Sequence, residues 1–254
     1  MRLQLFLAAV LVLACSSFCP AQVASTTSIA HISAKDLITR IETQYQGKTS
    51  HGKTRMTIQT RDWQRVLEME YWSEGRDKFL TRILSPRKEK GTCTLKVNDN
   101  IWNYIPRIDR MIKIPSSLMG ESWMGSHLTN DDLVKENKID ELYNLEIIAS
   151  DTKQITIQGI PFPDAAVVWG KILYVIDAEK LVPVYVDYFD EEGIKVRRID
   201  FSEPVLINGR WIPKTMKILP IEKPDEFTKL KYTEIEFDVK LQSNLFSMKS
   251  LRNR

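Results

Sequence analysis

From about residue 50 to 115, and again from about 141 to 240, apolar residues alternate with polar ones in short runs closed by turn residues. "KTRMTIQTRD" (53–62), "RVLEMEYWSEG" (65–75) and "DKFLTRILSP" (77–86) follow one another through short polar turns. "GTCTLKVNDNIWNYIPRIDRMIKIP" (91–115) continues the series, with turns at Asn98-Asp99-Asn100 and near Asp109. In "RVLEMEYW", Leu67, Met69 and Tyr71 oppose Val66, Glu68, Glu70 and Trp72. In "TCTLKV", Cys93, Leu95 and Val97 oppose Thr92, Thr94 and Lys96. Side chains alternate faces along a strand, so the pattern predicts antiparallel strands with one wetted face. The second half keeps the style, with strands expected near 141–150, 154–160, 165–177, 181–190, 194–202, 211–220 and 227–240. Asp177 to Lys180, "DEEG" at 190–193 and Asn208-Gly209 separate them. Asn-Gly between apolar runs is a strong hairpin signal, because both residues tolerate positive φ.

A meander of about ten or more strands cannot stay flat; it curls into a barrel or an open half-barrel and so creates a concave face. Two helical segments are available to cover that face. Residues 33–46, "SAKDLITRIETQYQ", begin with Ser33 as a cap, place Leu37, Ile38, Ile41 and Tyr45 on one side, and stop at Gly47. A shorter helix is expected near Asn130, where "TNDDLVKE" offers Thr129 or Asn130 as a cap and puts acids in the first turn. No fixed-period repeat or linker interrupts the pattern, which predicts one domain over 22–254.

The N-terminus has a different grammar. Arg2 precedes the apolar run "LFLAAVLVLA" (5–14). That run is shorter than the roughly 18 residues a spanning helix needs but suits a secretory signal. Residues 1–21 are read as a signal peptide cleaved after Ala21, which makes the mature chain periplasmic. The alternative is lipidation at Cys15 in "VLAC". Cleavage after Ala21 leaves Cys93 alone, and no C-x-x-C spacing suggests a metal or redox site. The formal net charge of +3, with Lys and Arg spread along the chain, lacks the clustered basic excess of a nucleic-acid binder.

The segment 116–136, "SSLMGESWMGSHLTNDDLVKE", breaks the β pattern with two Met-Gly pairs, a Trp and a His. "GESWMG" misses the spacing of the nucleophile elbow G-x-S-x-G. His31, His51 and His127 are too scattered for a local metal motif. His127, with Asp131 and Asp132 nearby, is the sole candidate base, and those acids suit a helix N-terminus better. No catalytic constellation, metal site or cofactor motif is expected.

"GTCTLKVNDNIWNYIP" followed by "RMIKIPSSLMGESWMGSHLTNDDLVK" resembles the LolA-like family of outer-membrane lipoprotein-sorting proteins. The likeness, with the signal peptide, leading helix and strand series, covers nearly all of residues 33–245. One departure is His127, where the family's motif usually has an acid after "MGS". The resemblance implies an open β half-barrel with helices over its mouth and a carrier that buries acyl chains of lipoproteins or other lipids. It implies an inner-membrane transporter and an outer-membrane acceptor as partners of a monomeric carrier. A sensor or accessory subunit using the same cavity, and a hydrolase, are the alternatives. An acyl chain needs a dry apolar groove, with each buried methylene contributing about 0.8 kcal/mol, and methionines adapt to variable shapes. On that reading Trp102, Tyr104, Met111, Met119, Trp123 and Met124 are candidate lipid contacts at the mouth, or else ordinary core. Gly120 and Gly125 are either lid hinges or turn residues.

Overall fold

The computed structural model describes residues 32–135 and 138–252. The expected signal peptide, Cys15, Cys19 and His31 lie outside these residues. Helix α1 (Ala34–Gln46) forms where its cap predicts: the Asp36 N–H donates to Ser33 Oγ at 3.1 Å. It ends as Gly47 turns to φ +61°. Leu37, Ile38 and Ile41 are fully buried, on the side that faces the sheet.

Thirteen antiparallel strands form one sheet: β1 (Thr49–Gln59), β2 (Gln64–Glu74), β3 (Lys78–Ser85), β4 (Cys93–Val97), β5 (Asn100–Ile105), β6 (Arg110–Lys113), β7 (Tyr143–Ser150), β8 (Gln154–Pro161), β9 (Lys171–Asp177), β10 (Val182–Phe189), β11 (Lys195–Ile207), β12 (Arg210–Pro220) and β13 (Phe227–Phe237). Their order in space is β6-β5-β4-β3-β2-β1-β13-β12-β11-β10-β9-β8-β7. Two meanders are therefore joined edge to edge where β1 pairs with β13, while β6 and β7 are left as the two free edges. The sheet is curved and does not close into a barrel. At the β11–β12 hairpin Asn208 and Gly209 have φ of +49° and +75°, as the Asn-Gly pair predicts.

This topology fixes what residues 114–135 and 138–142 must do. The chain leaves the sheet at one edge and re-enters at the other, so it has to travel across the whole sheet. Its contacts follow the strand order. Trp123 Nε1 donates to Thr94 of β4 at 3.1 Å, and the Met124 carbonyl accepts from Arg65 of β2 at 2.9 Å. The His127 N–H donates to Thr228 of β13 at 2.9 Å, and Asp132 accepts from Arg197 of β11. The helices α2 (Asn130–Lys135) and α3 (Ile139–Leu142) complete the crossing and lead into β7. Together with α1 the crossing roofs the concave face.

Two apolar clusters result. The larger lies between the concave face and its roof and includes Met56, Leu67, Ile83, Trp123, Ile157, Tyr188 and Ile218. The smaller lies on the opposite face of β3–β6, where Leu80, Cys93, Leu95 and Tyr104 pack with Leu251. That residue belongs to α4 (Met248–Arg252), a short helix absent from the sequence-based expectation. The expected wetted face at 92–97 is corrected here. Cys93 and Leu95 are covered by the C-terminal segment, and Thr94 and Lys96 face the roofed side at 0% and 1% exposure.

Candidate functional site: a roofed cavity

Between the concave face and its roof is a cavity of about 270 Å³, close to the lower end of small-molecule pockets. Met69, Leu128, Ile199, Phe201, Met216 and Leu230 supply much of its apolar wall, with Trp123 from the crossing segment. Residue size in the strands sets how its wall packs. A Cβ on Gly52 of β1 would sit 2.3 Å from the Glu234 carbonyl oxygen and 2.9 Å from the ring of Tyr71. With glycine at this position the Tyr71 ring packs close against β1, its centroid 5.7 Å from that of Tyr232.

One end of the cavity is polar. Ser50 and Ser73 are hydrogen-bonded at 2.6 Å, and Tyr45, Tyr71 and Tyr232 converge there from α1, β2 and β13. The Tyr45 hydroxyl is buried with no hydrogen-bond partner among the described residues. Burial raises all three phenols above their usual range, so they stay protonated donors at neutral pH. At the rim, Arg76 bonds to Glu42 and lies 2.9 Å from Asp140 and 3.2 Å from Glu141, which ties the β2–β3 turn to α1 and α3.

The roof is fastened by polar clamps as well as packing. Arg197 donates to both oxygens of Asp132 at 2.7 and 3.0 Å, with both side chains buried. Trp169 and Tyr188 flank its guanidinium at 4.5 and 4.1 Å. Asp132 also caps α2, accepting from the Thr129 N–H at 2.8 Å. His127 Nε2 lies 3.1 Å from Glu226 and its Nδ1 2.9 Å from Thr228 Oγ1. His127, expected to be a candidate base, is thus part of a clamp to the start of β13. Among the described residues no group of His, Cys, Asp and Glu is arranged to hold a metal.

Of the candidate residues, Trp123 lines the cavity, and Met124 packs against the same cluster. Met119 is half-buried, and its carbonyl accepts from the Asp131 N–H. Trp102, Tyr104 and Met111 project from the other face into the smaller cluster, in register with one another and with Cys93 and Leu95. The expected grouping of all six around one mouth is corrected accordingly. The reason is strand parity: Thr94 and Lys96 point inward, so their alternates point out. Met124 and Gly125 have φ of +53° and +71°, a tight turn that brings Trp123 under the roof. Gly120 has open space where a Cβ would be. The polar end was missed because Tyr45, Ser50, Tyr71, Ser73, Lys96 and Tyr232 come together from five elements with no local motif.

A curved sheet with two free edges, roofed by its own crossing segment over a largely apolar cavity, is a LolA-like fold. Residues 75–253 match a family model described as "-like: Uncharacterized protein", and the chain belongs to that family. The fold is shared with a DUF1329 family protein from Desulfovibrio piger, at 20% identity and TM-score 0.79, covering 86% of this chain and 98% of that one. It is shared with an outer membrane lipoprotein-sorting protein domain from Vibrio parahaemolyticus, at 20% identity and TM-score 0.74, covering 85% and 97%. A LolA superfamily protein from Nitrosomonas europaea aligns at 14% identity and TM-score 0.71, covering 86% and 99%. No curated protein matches the sequence.

Proposed function

We propose that this protein is a periplasmic carrier that buries acyl chains of a lipoprotein or other lipid in the roofed cavity. The observation that carries the reading is the cavity itself: a largely apolar space held open beneath a crossing segment in a LolA-like fold. Burying an acyl chain there gains about 0.8 kcal/mol per methylene, so part of one chain is enough for useful affinity. Release to an acceptor requires the roof to lift, and its clamps run through a few side chains on residues 123–132. The proposed partners are a donor transporter in the inner membrane and an acceptor at the outer membrane, served by a monomer. No catalytic step is proposed. The signal-like sequence at residues 1–21 supports the periplasmic location.

The test is uptake of a fluorescent acyl probe by the mature protein. The expected result is saturable binding, displaced by phospholipid or an acylated peptide and weakened when the cavity is filled by Met216→Trp in a variant that keeps its melting temperature. Absence of saturable uptake would reject the carrier reading.

A further inference from the structure

The cavity is graded along the strands, and the register shows how. One row across the sheet is Ser50, Ser73, Phe79 and Lys96. The next is Gly52, Tyr71, Thr81 and Thr94, and the third is Thr54, Met69 and Ile83. Met56 and Leu67 form the fourth. Side chains on alternate residues share a face, so these rows form a floor that passes from polar to apolar over four rows. A space built this way suits an amphiphile better than a plain hydrocarbon.

Lys96 stands at the polar end. It lines the cavity at 1% exposure, and its ammonium group donates to the Arg76 carbonyl oxygen at 2.7 Å. It forms no ion pair among the described residues, although its cationic neighbours do. Arg76 has Glu42, Asp140 and Glu141; Lys78 has Glu74 at 2.7 Å; Lys138 has Asp99 at 2.9 Å. A buried charge without a counter-charge is costly, and a lysine at this depth usually has one. Burial, reinforced by Lys138 and opposed by Asp77 and Asp99, pushes the ammonium down to about 8, which still leaves it mainly charged at neutral pH. Two of its three N–H donors remain for a ligand.

Resting on the lipid-binding reading above, we propose that Lys96 receives the anionic head, a carboxylate or a phosphate, of an amphiphile whose chain lies over Met69 and Leu230. The protonated phenols of Tyr45 and Tyr71 line the same space and supply further donors to the head. The cargo is then selected by its charge as well as its chain.

Competition against a bound fluorescent acyl probe tests this with palmitate, hexadecyl phosphate and hexadecanol, which share a chain and differ in the head. Hydrogen bonds to charged groups are the stronger class, so the two anions should displace the probe at concentrations about tenfold or more below that of hexadecanol. The tighter of the two anions identifies the head. Lys96→Met should bring all three together, and Lys96→Arg should preserve the preference. Equal potency of the three on the unmutated protein, a comparison needing no variant, would overturn the inference and leave the carrier reading standing. Inorganic phosphate competing as well as hexadecyl phosphate would also overturn it, assigning Lys96 to a free anion. Failure of the probe to bind at all would reject the carrier reading instead.

Discussion

Gly52 sits inside a strand, where glycine ordinarily weakens pairing. Its value is negative space: the Tyr71 ring and the backbone of β13 occupy the volume a side chain would fill. Gly52→Ala should therefore destabilise by about 1–3 kcal/mol, the usual cost of overpacking, and should disturb the polar end of the cavity by moving Tyr71. Urea denaturation measures the first effect and probe binding the second; an unchanged midpoint would mean that the sheet relaxes at the β1–β13 bulge next to it. Trp123 illustrates a different constraint. It is 3% exposed, bonded to Thr94 and part of the main cluster, so Trp123→Ala removes packing and ligand contact together. Trp123→Phe is the more informative change, because most of the ring contact is retained.

Among the elements, the crossing segment depends on the Asp132–Arg197 pair. Removing one member of a buried pair leaves an uncompensated charge and costs about 3–5 kcal/mol, whereas replacing both with apolar residues is often neutral. Asp132→Leu alone should lower the unfolding free energy by an amount in that range. Adding Arg197→Met should recover most of it, since Trp169 and Tyr188 already form an apolar sleeve around the side chain. A double variant no more stable than the single one would show that the Asp132 cap of α2 dominates. The strand series, the leading helix with its Ser33 cap and the Asn208-Gly209 hairpin were legible because alternation, capping and turn chemistry are local signals. The role of residues 114–142 was legible only in part. Their composition marks a roof, but the need to cross the sheet follows from β1 pairing with β13, a long-range contact without a local signature. The same limit explains Trp102, Tyr104 and Met111. Their apolar character was plain, while the face they occupy depended on a C-terminal segment that covers the outside of β3–β6.

For the molecule as a whole, charge pairing predicts acid sensitivity. Glu226 is held below the usual carboxylate range by His127, Asp238 by the Lys48 N–H and then Arg210, and Glu203 by Lys231 and then Thr215. A carboxylate whose folded pKa is depressed contributes stability that is present above its unfolded value, about 4, and lost as pH falls through the folded one. Asp131 opposes this trend, since burial raises its carboxyl. These three, with Asp99 depressed by Lys138 and Asp151 by the Gln154 N–H, outnumber it, so the urea midpoint should hold from pH 7 to about 5 and fall steadily below about 4. A midpoint unchanged at pH 3 would contradict that expectation. The first three all tie β13 to its surroundings: Glu226 to the roof, Asp238 to the start of β1, and Glu203 of β11 to Lys231 of β13. Acid should therefore loosen the seam between the two meanders early.

The carrier reading makes one demand that no variant is needed to examine: protein taken from its own compartment should hold a lipid. Native mass spectrometry of the mature chain, purified from the periplasm without detergent and followed by lipid extraction, measures this directly. The expected result is a defined added mass that is lost on denaturation and recovered as an acylated amphiphile with an anionic head. A clean mass of the chain alone, unchanged after exposure to phospholipid or lipopeptide, would contradict the account and shift the cavity from cargo binding to another use.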